Sequence, residues 1–140
     1  MDTQAYQRIQ QSWQEIMPQS DAFVALLYKK LFQQHPELES LFIRNMGMQG
    51  RKLMSMYGSA IEYLDNPDKM LPPLLAAGQR HVQYGVASSD YNKVNAVLID
   101  TLQEFLGERF DDNLKHDWQE ACSHIQQVMA SATKHATVYK

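Results

Sequence analysis

Apolar side chains recur every three or four positions along most of the chain, which is the spacing of one face of an α-helix. The first segment is typical, with Tyr6, Ile9 and Trp13 on one side of a predicted helix over Thr3–Ile16. Strict alternation of apolar and polar residues never continues long enough to predict a β-strand. Unbranched Leu, Met and Gln residues, which favour helices, are abundant. The pattern therefore predicts an all-α fold.

Prolines and glycines divide this pattern into six to eight predicted helices. Proline lacks a backbone N–H and clashes inside a helix, so it belongs at breaks and first turns. The residues between Ile43 and Met48 are predicted to be irregular. After the first helix, the predicted helices run from Ser20 or Asp21 (as N-cap) to Gln34, from Pro36 to Phe42, from Gln49 to Leu64, from Met70 to Gln83, from Ser88, Ser89 or Asp90 (as N-cap) to Leu106, and from Asp111 or Asp112 (as N-cap) to shortly before Lys140.

Length, charge and cysteine content narrow the class of protein. The 140 residues predict one domain over 1–140. A net charge of −3 argues against nucleic acid as a partner, because phosphate binding requires a dense basic face. The longest apolar run, near Ala22–Tyr28, is far shorter than the ~20 residues of a membrane helix. The polar N-terminus and the single cysteine, Cys122, predict a cytoplasmic protein without a disulfide framework.

The five histidines supply the first candidate chemistry. None belongs to a metal-binding motif, and His35, His116, His124 and His135 lie in polar or terminal settings. His81 differs, because Gly78 precedes it by almost one turn and leaves a flat space on its helix face. A hydrogen-bonded core histidine would have the same pattern. One neutral imidazole also suffices as the protein ligand of a haem iron.

A second group of residues predicts the opposite wall of a pocket. Tyr28 lies among apolar residues on the inward face of its helix, although its tip is polar. Gln49 and Leu53 share a helix face, because four residues make about one turn. Gly50 would allow a close helix crossing. A core tyrosine and a surface glutamine remain the plainer alternatives for Tyr28 and Gln49.

Taken in order, these signals resemble the globin family over essentially the whole chain. The chain is most similar to bacterial single-domain haemoglobins and the haem domain of flavohaemoglobins, and more distantly to neuroglobin. The motifs that carry the resemblance are Tyr28-x-x-Leu31-Phe32, His35-Pro36-Glu37-Leu38, Leu41-Phe42, Gln49-x-x-x-Leu53, Gly78-x-x-His81-x-x-Tyr84-Gly85-Val86, Tyr91, Leu106-Gly107 and Trp118.

The resemblance implies a globin fold around haem b, which is iron protoporphyrin IX. It implies that His81 is the iron ligand and that Tyr28, Gln49 and Leu53 line the distal, ligand-binding side. No side chain is assigned as a catalytic acid, base or nucleophile. The further haem contacts that it implies are Phe42, Lys52, Leu53, Arg80, Tyr84, Val86, Tyr91 and Val94, with Lys52 and Arg80 facing the propionates.

The activity that the resemblance implies is reversible binding of dioxygen with high affinity, in oxygen binding or transport. Nitric oxide and carbon monoxide are further expected ligands. Nitric oxide dioxygenase activity would require an external reductase, since the sequence holds no Gly-rich phosphate loop. Flavohaemoglobins carry a Tyr and a Glu where this chain has Cys122 and Thr133, so peroxidase-like chemistry is not expected. The alternative is a haem-based gas sensor or interaction module.

Overall fold

The computed structural model describes the backbone of residues 3–42, 46–66, 68–72, 76 and 88–138. Within these ranges the structure is helical and contains no strand, as predicted. We number the long helices α1 to α5. Their bounds, with three short 3-10 helices between them, are α1 Thr3–Ile16, 3-10 Met17–Gln19, α2 Ser20–Gln34, 3-10 Pro36–Phe42, α3 Met46–Glu62, α4 Ser88–Leu106, 3-10 Gly107–Arg109 and α5 Asp112–Val138.

α2 begins at Ser20, one of the two predicted positions, but its cap differs from the sequence prediction. Ser20 or Asp21 was expected to cap this helix, but the N-cap position is Gln19 and makes no side-chain cap hydrogen bond. The preceding 3-10 helix runs directly into α2, and the Ser20 N–H donates to the carbonyl of Met17. A backbone acceptor therefore takes the place of the expected side-chain cap.

The start of α3 also differs. The sequence predicted an irregular stretch through Met48 and a helix from Gln49, but α3 begins at Met46 and ends at Glu62 rather than Leu64. Gly47 costs a helix only about 1 kcal/mol, so a glycine at this position does not prevent the helix from beginning before it. Residues 68–72 are helical, so the helix predicted from Met70 begins two residues earlier. Most of its remainder to Gln83 lies outside the described residues.

The two C-terminal helices end and begin as their sequences predict. Gly107 has a positive φ of 61°, a conformation that glycine adopts without strain, and α4 ends immediately before it. The Asp111 carboxylate accepts a hydrogen bond from the Leu114 N–H at 2.8 Å, which is an N-terminal cap. His35 occupies the C-cap of α2, where its N–H donates to the Leu31 carbonyl at 2.7 Å.

The core lies where α1, α2, α4 and α5 cross. α2 packs against α4, α1 against α5, and α4 against α5. Trp13 of α1 is at the centre, with its ring centroid 5.9 Å from Trp118 of α5 and 6.3 Å from Phe23 of α2. The buried residues of these four helices include Ile9, Trp13, Phe23, Leu27, Leu31, Val97, Leu98, Thr101, Leu114, Trp118 and Ile125.

No helix in the described part of the chain is both long enough and apolar enough to cross a membrane.

Candidate functional site

The crossing of α2 and α3 forms one side of the candidate site. A Cβ atom placed on Gly50 would lie 2.7 Å from the Val24 Cγ1 atom and 3.7 Å from a ring carbon of Tyr28. Real Cβ atoms do not approach a methyl group as closely as 2.7 Å. Only a glycine therefore allows α3 to lie this close to α2, which brings the start of α3 beside Tyr28.

Tyr28 contributes a buried hydroxyl group to this crossing. The side chain is 8% exposed, and its ring stacks on that of Phe32, one turn later, with centroids 5.8 Å apart. Burial raises the pKa of Tyr28 to about 12, because the phenolate would lose its hydration. The group therefore stays protonated at neutral pH and keeps the O–H that a hydrogen-bond donor needs.

Half-buried apolar side chains on two further helices lie at the edge of the core. Leu53 on α3 and Val94 on α4 are both only partly covered while they pack against the core cluster. α3 and α4 are not among the described helix pairs whose backbones pack closely, although α2 packs against each of them. Tyr91, one turn before Val94, is buried, and burial raises its pKa above the ordinary value.

The described structure places some predicted site residues and not others. Lys52 is on α3 and exposed. Gln49 lies on α3 and Phe42 ends the second 3-10 helix, but their side chains are outside the described set. The predicted iron ligand and its neighbours also lie outside the described residues, so their roles stay predictions; these are Arg80, His81, Tyr84 and Val86.

Other chemistry-bearing side chains do not form a second centre. In the described ranges no three His, Cys, Asp or Glu side chains gather as a metal site would require. His116 and His124 are exposed, in keeping with their polar sequence setting. Cys122 is buried, and burial raises the pKa of its thiol to about 12, which keeps it un-ionised and a poor nucleophile at neutral pH.

The structure also contains an open groove between α4 and α5, away from the crossing at Gly50. Its volume is about 280 Å³. Apolar side chains are mixed with charged ones along it, and none of them belongs to the predicted site. The lining residues are Asn95, Ala96, Ile99, Asp100, Lys115, Gln119 and Cys122.

Comparison with known proteins settles the family. The family model described as Globin matches residues 25–129, which is most of the chain. The chain belongs to the globin family. This globin is 28% identical over 117 residues to a flavohemoprotein of Halalkalibacterium halodurans, covering 81% of the chain, and 25% identical over 112 residues to a flavohemoprotein of Rhizobium meliloti, covering 78%. It spans 28% of the length of each of these two relatives.

A solved structure is similar to this globin over nearly its full length. It is an engineered carbene transferase based on a protein named as a candidate nitric oxide dioxygenase from Rhodothermus marinus. The TM-score is 0.84 at 27% identity, and the match covers 99% of this chain and 96% of the other. The globin fold predicted from the sequence is therefore confirmed.

Membership of the globin family and the flavohemoprotein relatives imply a haem cofactor, and the described residues fit one. A haem needs an apolar slot between helices whose backbones do not close on each other. α3 and α4 stand in that relation, and Leu53 and Val94 present partly uncovered apolar surface on them. The buried hydroxyl of Tyr28 adds a polar group at the neighbouring crossing.

The sequence did not reveal every polar group beside this slot. Neither Tyr57 on α3 nor Asn95 on α4 was singled out from the sequence. The Tyr57 hydroxyl donates to the Asn95 Oδ1 atom at 3.2 Å. The available signal was positional, because Tyr57 lies one turn after Leu53 and Asn95 directly follows Val94.

Proposed function

We propose that this globin binds haem b through His81 and reversibly binds dioxygen with high affinity. The observation that carries the proposal is the buried, protonated hydroxyl of Tyr28 at the Gly50 crossing, within a chain of the globin family. Haem supplies an iron centre to which a diatomic gas coordinates, with partial negative charge on the gas. The remaining contribution comes from the side chains of the chain itself.

Tyr28 and Gln49 are the proposed donors to that negative charge. A phenol with a pKa of about 12 remains a donor over the whole physiological range. Hydrogen bonds to charged groups contribute ~1–3 kcal/mol, and more in a pocket of low polarity. At about 1.4 kcal/mol per factor of ten, dioxygen release would be slowed about fivefold to more than a hundredfold.

The walls of the pocket have a second proposed role, which is to exclude water. Leu53 and Val94 offer no hydrogen bonds, so the donors keep their strength in the absence of competing solvent. Phe42, Tyr84, Val86 and Tyr91 are proposed to pack around the macrocycle. Lys52, which is exposed, and Arg80 are proposed to meet the propionates at its edge.

Replacement of Tyr28 by Phe tests the donor role. The variant should release dioxygen at least about fivefold faster than the wild type, because the ring is retained while the donor is lost. Stopped-flow displacement of dioxygen by carbon monoxide measures the rate. Tyr6→Phe is the control, since Tyr6 is a half-buried tyrosine on α1, and it should leave the rate unchanged. Equal rates in the Tyr28→Phe variant and the wild type would contradict the role.

Replacement of His81 by Ala tests the iron ligand. The variant should retain haem poorly and lose the wild-type optical spectrum, whereas His116→Ala, at an exposed histidine, should not. Free imidazole should restore part of the spectrum by filling the vacated ligand position. A His81→Ala variant with the spectrum and haem retention of the wild type would refute the assignment.

Turnover of nitric oxide is the second candidate function, favoured by the similarity to the Rhodothermus marinus protein. Nitric oxide, dioxygen and one electron combine to give nitrate, so each cycle needs an external electron. We propose that a flavin-containing reductase supplies it. Nitrate should stop at about one equivalent per haem without a reductase and accumulate with one. Accumulation no greater with the reductase than without it would argue for oxygen binding alone.

A further inference from the structure

A chain of side-chain hydrogen bonds connects the buried end of α3 to α4 and α5. The Tyr57 hydroxyl donates to Asn95 Oδ1 at 3.2 Å, and Asn95 Nδ2 donates to Gln126 Oε1 at 3.0 Å. Gln126 Nε2 then donates to Asn92 Oδ1 at 2.6 Å. All three donors point from the core towards the exposed Asn92. Because Asn95 accepts at one atom and donates at the other, its amide is held in a single orientation.

The Tyr57–Asn95 bond crosses a gap that the helix backbones leave open. α3 and α4 are not among the closely packed pairs in the described part of the chain, so a long side chain has to span them. Tyr57 does so from a fixed base. It is 3% exposed, and its ring lies 6.2 Å from the Trp13 ring in the core. Burial raises the pKa of Tyr57 far above the physiological range, so its hydroxyl remains a donor.

The two ends of this bond adjoin the proposed walls of the haem pocket. Leu53 lies one turn before Tyr57 on the same face of α3, and Val94 directly precedes Asn95 on α4. A change in the distance between the backbones at Tyr57 and Asn95 would therefore also move the backbone that carries Leu53 relative to the backbone that carries Val94. Gln126, on a third helix, keeps the acceptor in place.

We propose that Tyr57 is a positioning residue, which through its hydrogen bond to Asn95 sets the width of the opening between Leu53 and Val94 and so controls the passage of a diatomic gas. The inference rests on the proposed function, since it takes Leu53 and Val94 as walls of the gas-binding pocket. Without the bond, α3 loses this directional contact with α4, and the apolar packing that remains around Tyr57 is not directional. Gas then enters and escapes more rapidly.

The experiment compares Tyr57→Phe, Asn95→Ala and the double variant, each loaded with haem, after flash photolysis of the carbon monoxide complex. Each single variant should raise the escape fraction and the rebinding rate about twofold or more, the lower limit for residues coupled by direct contact. The double variant should add nothing further, because both single changes break the same bond. Tyr63→Phe is the matched control, at a half-buried tyrosine just after α3.

The haem-free protein provides a second readout that is independent of gas binding. Backbone amides between Leu53 and Tyr57 should exchange with solvent faster in both single variants than in the wild type, and unchanged exchange there would refute the positioning role. If Tyr57→Phe does not fold, Asn95→Ala decides the question, because Asn95 is only half-buried.

The outcomes separate the inference from the function beneath it. A wild type that takes up no haem overturns both. A wild type that binds haem and gas, with variants that rebind carbon monoxide at the wild-type rate, overturns the positioning role alone. Additive effects in the double variant also overturn it, since they would mean that Tyr57 and Asn95 act separately.

Discussion

Gly50 illustrates how a single missing side chain determines the candidate site. Replacement by Ala would put a methyl group 2.7 Å from the Val24 Cγ1 atom. Val24 is β-branched and stiff, so the helices must separate. We expect Gly50→Ala to lower the free energy of unfolding by about 1–3 kcal/mol, the range for overpacked cores, as measured by urea denaturation.

Gly58 offers the matched control for this prediction. It lies on the same helix, but a Cβ atom there would be 3.5 Å from the Trp13 Nε1 atom, an ordinary contact distance. Gly58→Ala should therefore stabilise the protein by about 0.5–1 kcal/mol through helix propensity. If the second change Val24→Ala restores the stability lost in Gly50→Ala, the contact with the Val24 methyl group is the cause. Equal effects at both glycines would contradict the close crossing.

At the residue scale, sequence pattern predicted single positions better than polar partners. The permissive role of Gly50 and the inward setting of Tyr28 follow from helical spacing, and both are confirmed. The Tyr57–Asn95 bond could not be predicted, because the residues lie 38 positions apart and their pairing depends on how α3 and α4 are placed. Amide side chains accept many partners, so their sequence setting alone does not choose one.

At the scale of elements, α1 is fastened to α5 by an ion pair with one buried partner. The Arg8 Nε atom donates to Asp117 Oδ2 at 2.6 Å, and a second guanidinium nitrogen donates to Oδ1 at 3.2 Å. The Asp117 side chain is 6% exposed. We expect Arg8→Ala to cost about 1–3 kcal/mol of unfolding free energy, because the carboxylate loses a bidentate charged partner.

Arg109 provides the comparison for Arg8. Its Nη1 atom lies 2.7 Å from Glu15 Oε2, but the Arg109 side chain is 63% exposed and that of Glu15 is 35% exposed. Arg109→Ala should therefore cost only about 0–1 kcal/mol in the same denaturation experiment. The additional change Asp117→Asn should recover part of the Arg8→Ala loss by removing the charge. Equal costs for Arg8→Ala and Arg109→Ala would mean that burial of Asp117 adds nothing.

A second link between elements should depend on pH. A backbone hydrogen bond at Glu37 itself and one from Lys93, 3.1 Å away, hold the pKa of Glu37 below its ordinary value of 4.5. A carboxylate whose pKa is lower in the folded state stabilises the fold at pH values above its ordinary pKa. This stabilisation is lost as the pH falls through the lowered, folded-state pKa. The Lys93 bond joins the 3-10 helix Pro36–Phe42 to α4.

We therefore expect Glu37→Gln to lower the urea midpoint near neutral pH, and the gap from the wild type to narrow at pH values below 4.5. Protonation of Glu37 removes the same charge in the wild type, which is why the two proteins converge. Glu39 is an exposed carboxylate of the same short helix, so Glu39→Gln is the control. It should leave the urea midpoint almost unchanged at both pH values. A gap that is constant with pH would rule out the ionised link.

Element boundaries were predicted well where local chemistry fixes them. The positive φ of Gly107 and the cap at Asp111 are properties of those residues, and the end of α4 and the start of α5 agree with the prediction. The side-chain cap expected for α2 was wrong because a 3-10 helix precedes the helix and supplies a backbone acceptor. The start of α3 was wrong because a single glycine, Gly47, is only a weak barrier to helix formation.

At the scale of the whole molecule, the apolar faces of the helices and the way the helices cross determine the fold. α2 is central, since it packs against α4 and α3 and carries both Tyr28 and Val24. The sequence could predict this architecture because every inward position is a local property of one helix. The gap between α3 and α4 is a property of two helices together, and the sequence indicated it only through the resemblance to globins.

Ligand linkage gives a prediction for the whole molecule. A ligand that binds the folded chain alone raises the free energy of unfolding, by ~2.7 kcal/mol at about a hundred times its Kd. We expect haem to raise the thermal midpoint of the helical circular dichroism signal in the wild type. Iron-free protoporphyrin IX should raise it less, because it occupies the apolar slot between α3 and α4 without a bond to His81.

The His81→Ala variant separates the two contributions to that shift. Its thermal midpoint should rise by similar amounts with haem and with the iron-free porphyrin, because only apolar contacts then bind either molecule. A wild type that responds equally to both porphyrins would show that the iron bond contributes nothing to binding. A wild type that responds to neither would leave the slot between Leu53 and Val94 without its proposed occupant, and the globin fold would then serve a haem-free role.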